Sequence, residues 1–235
     1  MWPIWSPDGR RLVFPWLTHG RRSLAVQPAD GTARPQVLML GDLTASSFTP
    51  DGRQVAAVRN DKDIVGVAVE PGQARVQPLI ETPNTELWPE VSPDGGWLVY
   101  GSNVSGRLEV YVRPYPGPRP AEPVSVEGGW SPAWHPSGRE LFFVSLPDPA
   151  GKRRMMAVQF APGSPPRIGR PRPLFAFDNR DLYLACGPVR CYDVAPDGQR
   201  FYAVQYRTPP PPPVVTHINL IENWFEELKA KVPIR

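Results

Sequence analysis

The sequence has few of the residues that build metal sites, and it has no long apolar or basic run. It contains two cysteines and three histidines in 235 residues, which leaves little material for a metal centre. No stretch approaches the roughly 18 apolar residues of a membrane span. The 26 basic and 23 acidic residues are scattered and give a net charge of +3. We therefore expect no membrane span in this chain and no nucleic-acid partner.

The ends and the cysteines add limited information. The N-terminus lacks the charged and then apolar pattern of a signal peptide, and it begins inside a structural motif, Trp2-Pro3-Ile4-Trp5-Ser6. We therefore interpret the chain as a fragment of a longer protein. Cys186 and Cys191 are too few for a disulfide framework or a zinc site. A local disulfide and two free thiols are both compatible with their spacing.

Proline and glycine, in contrast, are abundant, and they mark a repeat. The 33 prolines and 20 glycines exclude long helices over most of the chain and favour short strands joined by turns. One turn recurs five times, as Ser6-Pro7-Asp8-Gly9, Thr49-Pro50-Asp51-Gly52, Ser92-Pro93-Asp94-Gly95, His135-Pro136-Ser137-Gly138 and Ala195-Pro196-Asp197-Gly198. Its glycines are 43, 43, 43 and 60 residues apart. A fixed period of this length is typical of stacked repeats.

Each repeat predicts several short strands around its turn. A short apolar segment precedes the turn, an almost wholly apolar strand follows it, and a third strand comes next. All units except the last then add a fourth strand. Four strands at this period predict a β-propeller, because a blade buries its apolar faces only against neighbouring blades. A sandwich or barrel would not explain the fixed period.

The predicted architecture is therefore all-β, a propeller of about five four-stranded blades with the last one incomplete. We assign the extra length of the 60-residue unit to loops at 147–153 and 162–172. The proline run 209–213 is interpreted as an extended spacer before a strand at 214–221. Residues 222–235 have helical periodicity and predict a short amphipathic helix that packs on the propeller, which occupies 1–221.

The turn repeats resemble those of the TolB-like propellers of bacteria. A narrower resemblance is to the C-terminal propeller of bacterial serine/threonine protein kinases, and it covers essentially the whole chain. It is carried by residues 110–117, 131–145, 192–204 and 221–233. The resemblance implies a sensing or protein-interaction role, a kinase domain in the same or a related polypeptide, and a periplasmic or extracytoplasmic location. It also implies a ring of six or more blades, of which this chain would form a part.

No motif in the chain predicts catalysis. A phosphate-binding loop and the elements of a kinase are absent from the sequence. The nearest approach to a hydrolase nucleophile motif, Gly129-Trp130-Ser131-Pro132-Ala133, lacks the second glycine and belongs to the repeat. The histidines are never at ligand spacing, and the turn aspartates have a local structural role. We expect no catalytic, cofactor-binding or metal-binding residue, no cofactor and no enzyme activity.

Tryptophans near the turns are the candidate binding residues. Trp5, Trp88, Trp130 and Trp134 lie where first strands approach the central channel, and propellers often bind ligands at that mouth. Packing between blades is the alternative explanation of the same residues. The predicted function is a non-catalytic module that binds a protein or peptide. The alternatives are a TolB-type periplasmic envelope protein and the propeller of a serine peptidase that lacks its hydrolase domain.

Overall fold

A computed structural model describes residues 2–70, 72, 75–117, 119–184, 186–205 and 231. Within them the chain forms five antiparallel sheets in sequence order, which we call blades one to five. The all-β propeller predicted from the repeat is confirmed. In the described part of the chain, no helix is long and apolar enough to span a membrane. The helix predicted for 222–235 lies, apart from Lys231, outside the described residues, as does the strand predicted for 214–221.

Blades one to three each have four strands, and each strand pairs with the next one in chain order. Blade one contains β1 (Ile4–Trp5), β2 (Arg11–Thr18), β3 (Arg21–Pro28) and β4 (Gln36–Leu40). Blade two contains β5 (Leu43–Phe48), β6 (Gln54–Arg59), β7 (Asp63–Ala68) and β8 (Val76–Ile80). Blade three contains β9 (Glu86–Val91), β10 (Trp97–Ser102), β11 (Glu109–Pro114) and β12 (Glu122–Pro123).

The last two blades depart from this pattern. Blade four contains β13 (Trp130–Trp134), β14 (Glu140–Val144), β15 (Arg153–Ala161), β16 (Arg167–Ile168) and β17 (Arg172–Phe177), with both β16 and β17 paired to the long β15. Blade five contains β18 (Leu182–Tyr183), β19 (Tyr192–Val194) and β20 (Phe201–Gln205). Both β18 and β19 pair with β20.

The repeated turn is built by its own side chains. Asp8 accepts hydrogen bonds from the Ser6 hydroxyl at 2.5 Å and the Arg10 amide at 3.0 Å. The hydroxyl bond in particular holds the pKa of the Asp8 carboxyl below its usual range. The turn ends in Gly9 at φ +68°, a left-handed conformation that favours glycine. The second and third turns repeat this arrangement around their own aspartates, so local bonding accounts for these carboxylates.

The turns lie side by side around one axis. A Cβ placed on the turn glycine of blade two, three or four would lie 3.7 Å from the turn proline of the blade before it. Arg11 also donates from Nη2 to the Gly52 carbonyl at 2.9 Å. The turns surround a cup of about 360 Å³ that all five blades line, with Pro7, Phe48, Pro50, Glu90, Val91, Ser92, Pro93, Trp134, Pro136, Asp193 and Val194. The cup is the turn-side mouth of the central channel.

Apolar clusters join each blade to the next. Val13 and Leu24 of blade one pack with Phe48 and Val55 of blade two. Three further clusters join blades two and three, three and four, and four and five. The second strand of the middle blades is buried on both faces, as in β10, where all residues are buried. Such burial is what the apolar second strands of the sequence predict.

The inner strand of blade five is interrupted by an insert. In blades two, three and four this strand carries a small bulge near its middle. In blade five, Tyr183 and Tyr192 pair with the consecutive residues Val204 and Ala203. Thus β18 and β19 are two halves of one inner strand, and the residues between them form what we call the channel insert, from Leu184 to Cys191. The repeat spacing predicts the extra length of this unit in loops 147–153 and 162–172 alone, and the insert is an addition to them.

Two buried glutamates of blade three differ in their hydrogen bonding. Glu86 is 1% exposed and accepts at Oε1 from the hydroxyls of Thr82 and Ser102, while its Oε2 has no partner among the described residues. Burial raises the pKa of this carboxyl. Glu109 is 4% exposed, and its two oxygens accept from Arg107 Nε, the Ser125 hydroxyl and the Gly128 amide. Of the two carboxylates, only that of Glu109 accepts hydrogen bonds at both oxygens.

We expect the substitution Glu86→Gln to raise the free energy of unfolding by about 1 kcal/mol at pH 7, because it removes a poorly partnered buried charge. A raised pKa means that the Glu86 contribution to stability is complete below its ordinary value of 4.5 and is lost as the pH rises. The gain should therefore disappear near pH 4. Urea unfolding at both pH values measures this gain in the free energy of unfolding.

Glu109→Gln is the matched control. It should lower the free energy of unfolding by about 1–3 kcal/mol, because the new amide nitrogen would face a hydrogen-bond donor. Destabilisation by Glu86→Gln at pH 7 would contradict the prediction.

Candidate functional site

A cleft opens between the first and last blades. It has a volume of about 470 Å³, and we call it the seam cleft. Its lining residues come from β1 and the two residues before it, the bulge of blade two, the end of the channel insert, and strands β19 and β20 of blade five. They are Trp2, Pro3, Ile4, Trp5, Ala45, Ser46, Val189, Arg190, Cys191, Tyr192, Asp193, Tyr202, Ala203 and Val204. The volume lies within the range of ligand-binding pockets.

The apolar walls of the cleft are exposed because no blade formed by the described residues lies against them. The residue just before the turn faces the preceding blade, and it is 9%, 6% and 3% exposed at Phe48, Val91 and Trp134. The same position of blade one is Trp5, which is 60% exposed.

The opposite wall shows the same effect. The fourth residue after the turn glycine faces the next blade. It is at most 2% exposed at Val13, Ala56, Val99 and Phe142, whereas Tyr202 of blade five is 56% exposed. Val204, two residues further along β20, is 55% exposed. The two blade faces that other blades bury are therefore open here, and they contain several of the large apolar residues exposed on the described surface.

The channel insert contacts the inner strands of blades three and four. Cys186 and Cys191 form a disulfide across the insert, with Cα atoms 5.8 Å apart. The Cys186 carbonyl accepts from Trp88 Nε1 at 2.9 Å and from the Ser131 hydroxyl at 3.4 Å. Tyr192 donates from its hydroxyl to the Ser131 carbonyl at 2.8 Å. The insert thus bridges blade five to blades three and four.

An ion pair at the floor of the cup anchors the insert. Arg190 pairs with Glu90 of blade three, and their side chains are 20% and 19% exposed. Arg190 also donates to the Pro132 and Tyr192 carbonyls and pairs with Asp193 at 3.1 Å. Burial alone would lower the pKa of Arg190, but Glu90, Tyr192 and Asp193 together outweigh this effect and raise it. The guanidinium therefore stays charged, and its charge is matched inside the protein.

The four predicted binding tryptophans lie in three different environments. Trp88 and Trp130 stack with ring centroids 5.8 Å apart, and Arg153 lies 4.7 Å above the Trp130 ring. Trp88 is 3% exposed and is covered by the insert. Trp134 is buried between blades three and four, where its Nε1 donates to the Glu90 carbonyl. Trp5 lines the seam cleft. The structure brings only Trp88 and Trp130 together.

The residues checked for catalysis are not assembled into a site in the described part of the chain. Ser131 is fully buried, and its hydroxyl faces the Cys186 carbonyl. His135 accepts from the Ser137 amide within its own turn, and His19 lies at the β2–β3 turn of blade one. His217 is outside the described residues. In the ranges that the structure describes, no three His, Cys, Asp or Glu side chains are grouped to hold a metal ion.

Sequence reasoning missed Tyr202, Val204 and the Glu90–Arg190 pair. Tyr202 and Val204 have the pattern of a second strand, and nothing in that pattern shows that no described blade lies beside them. The pair joins residues 100 positions apart in sequence. The one signal in the sequence was the cysteine pair within the longest repeat. A disulfide between these cysteines would close a loop there.

Comparison with known proteins supports the fold. No protein-family model matches the chain, and no curated protein matches it. A solved structure described as TolB from Agrobacterium tumefaciens is 21% identical with a TM-score of 0.61, covering 74% of this chain and 64% of that one. TolB from Acinetobacter baumannii is 16% identical with a TM-score of 0.55, covering 86% and 53%. The chain therefore spans about half to two thirds of these proteins.

A third solved structure extends the likeness beyond the TolB proteins. The β-propeller domain of Cps50 (Swd1) from Myceliophteria thermophila is 15% identical with a TM-score of 0.54, covering 75% of this chain and 57% of that one. At these identities the likeness concerns the fold. The chain has a TolB-like β-propeller fold.

Proposed function

We propose that this chain is a non-catalytic binding module that holds an apolar segment of a partner protein in the seam cleft. The observation that carries the proposal is the exposure of Trp5 and Tyr202 on facing walls, at positions that other blades bury. Tryptophan and tyrosine are the residue types that most often dominate binding energy at protein interfaces. A segment with one or two apolar anchor side chains would remove both rings from water.

The charges of the cleft favour an uncharged segment. Arg190 and Asp193 are its charged lining residues, and they pair with each other at 3.1 Å. Arg190 is further paired with Glu90. Among the described lining residues, a charged ligand group would therefore meet no free counter-charge, whereas an apolar group would gain from burial.

Selection from a phage-displayed library of random peptides on the full chain tests this proposal. We expect the enriched peptides to be apolar, and we expect Trp5→Ala and Tyr202→Ala to weaken them roughly tenfold or more. Leu40→Ala is the matched control, because Leu40 is 46% exposed but lies outside the cleft. Fluorescence polarisation measures each affinity. Peptides that bind both variants as tightly as the unmodified chain would overturn the proposal.

A photocrosslinker at position 5 distinguishes the possible occupants. A crosslink to a selected peptide supports the proposal. A crosslink to residues 206–235 of the same chain, or to a second copy, would show that the cleft is filled by this protein itself, and it would overturn the proposal.

We further propose that the module belongs to a kinase-containing polypeptide, as the resemblance of residues 110–117 and 221–233 suggests. The complete reading frame upstream of Met1 tests this. A kinase domain followed by a membrane span supports it, and a signal peptide followed by a small α/β domain counts against it.

A further inference from the structure

The two cysteines of the disulfide in the channel insert differ in their exposure to solvent. Cys186 is 6% exposed, and its Sγ lies 2.9 Å from the Val189 carbonyl oxygen. Cys191 is only half-buried, and it lines the seam cleft. A reagent that enters the cleft therefore meets the Cys191 side of the bond, while the Cys186 side faces the interior. One sulfur is the accessible point of attack and the other is the leaving group.

The bond constrains the insert and not the sheets. It joins residues five positions apart, and both lie within the segment between β18 and β19. The ladders of β18 and β19 with β20 do not depend on it. Breaking the bond therefore loosens the insert, while the apolar cluster between blades four and five is formed, apart from Leu184, by residues outside the insert.

We propose that Cys186–Cys191 is a redox latch, and that a dithiol reaching it through the seam cleft opens the central channel. A thiolate of the dithiol attacks Cys191 Sγ, the bond to Cys186 breaks, and Cys186 leaves as a thiolate that takes up a proton. The second thiol of the dithiol then closes on the mixed disulfide. Cys191 is released as a thiol, and the dithiol becomes a disulfide, so two electrons pass to the protein.

Movement of the insert away from the channel uncovers the stacked rings of Trp88 and Trp130. The insert covers Trp88, whose Nε1 is satisfied by the Cys186 carbonyl, and Trp88 stacks on Trp130. When the insert leaves, this ring pair and its indole donor become available at the end of the channel away from the turns. Removing a disulfide that closes so short a loop raises the open population of the insert roughly 40-fold. The latch does not require that the seam cleft binds a partner.

Hydrogen exchange of the full chain, with and without dithiothreitol, tests the latch. Iodoacetamide labelling of both thiols first establishes complete reduction. We expect amides of residues 186–191 to exchange at least tenfold faster after reduction, and peptides covering β6 and β10 to be unchanged. The double variant Cys186→Ser/Cys191→Ser should behave like the reduced chain and should not respond to dithiothreitol.

Two results would overturn the latch. Unchanged exchange in 186–191 after full reduction would mean that the insert is held by its other contacts. Faster exchange throughout all five blades would mean that the disulfide is a general structural staple. Acrylamide quenching of tryptophan fluorescence gives an independent readout, since an opened insert exposes Trp88 and a closed one does not.

Discussion

Replacing Arg190 with methionine is expected to lower the free energy of unfolding by about 3 kcal/mol at pH 7.5. The substitution leaves the Glu90 carboxylate, which is 19% exposed at its side chain, without its cation. It also removes donors to the Pro132 and Tyr192 carbonyls. We expect a loss at the lower end of the range measured for broken buried ion pairs, because both side chains keep some contact with solvent. Urea unfolding of the variant and the unmodified chain measures the loss.

The pH dependence of this loss has a defined sign. Burial raises the pKa of the Glu90 carboxyl, and Arg190 offsets only part of that effect. Without Arg190 the pKa rises further. A carboxyl with a raised pKa contributes stability that is complete below its ordinary value of 4.5 and is lost as the pH rises through its value in the folded state. The deficit of Arg190→Met should therefore shrink between pH 7.5 and pH 5.

The double variant Glu90→Gln/Arg190→Met is the control for this prediction. Glutamine can still accept the hydrogen bond that the Trp134 amide donates to Glu90 at 3.0 Å. Because both charges are gone, most of the stability should return. A single variant within about 0.5 kcal/mol of the unmodified chain would show that the pair is not a structural anchor. A deficit that is the same at pH 7.5 and pH 5 would contradict the role of Glu90.

Trp5 and Trp134 both lie just before the repeated turn, but their replacement by alanine is expected to change the free energy of unfolding by amounts that differ by several kcal/mol. Trp134→Ala should lower the free energy of unfolding by about 3–5 kcal/mol, because it leaves a large cavity between blades three and four. Trp134 is 3% exposed and makes edge-to-face contact with Phe160 at 5.0 Å. Trp5→Ala should change the free energy of unfolding by less than about 0.5 kcal/mol, since Trp5 is 60% exposed.

Denaturant unfolding of the two alanine variants decides between binding and packing for these residues. A large loss for Trp134→Ala together with a small loss for Trp5→Ala assigns the first ring to packing and leaves the second free for recognition. Equal losses would mean that the seam wall is as well packed as the blade interfaces, and would argue against an open cleft.

The repeat allowed the fold to be predicted, because each turn carries its own chemistry. Ser6, Asp8 and Gly9 build a turn through contacts within four residues, and the same residue types recur at the same spacing. Blade order and the apolar second strands follow from that spacing. The tryptophans were placed near the channel for the same reason, although Trp134 packs between blades and Trp88 lies beneath the insert.

The seam and the insert could not be derived in the same way. Tyr202 lies at a position where Ala56 and Phe142 are buried, so local pattern predicts burial, and only the absence of a neighbouring described blade exposes it. The Glu90–Arg190 pair depends on how an irregular segment crosses the channel, which no periodicity describes. Long-range contacts between non-repeated residues are therefore the part that required three-dimensional information.

The ring of turns also determines where foreign sequence can be accommodated. The turn glycines of blades two, three and four each lie against the turn proline of the blade before, and Arg11 spans from one turn to the next. One added residue in a turn would displace its contact with the neighbouring turn. The peripheral hairpin between Pro28 and Gln36 is instead mostly exposed. An epitope tag or a fused domain should therefore be inserted at the rim, where each blade accommodates it independently.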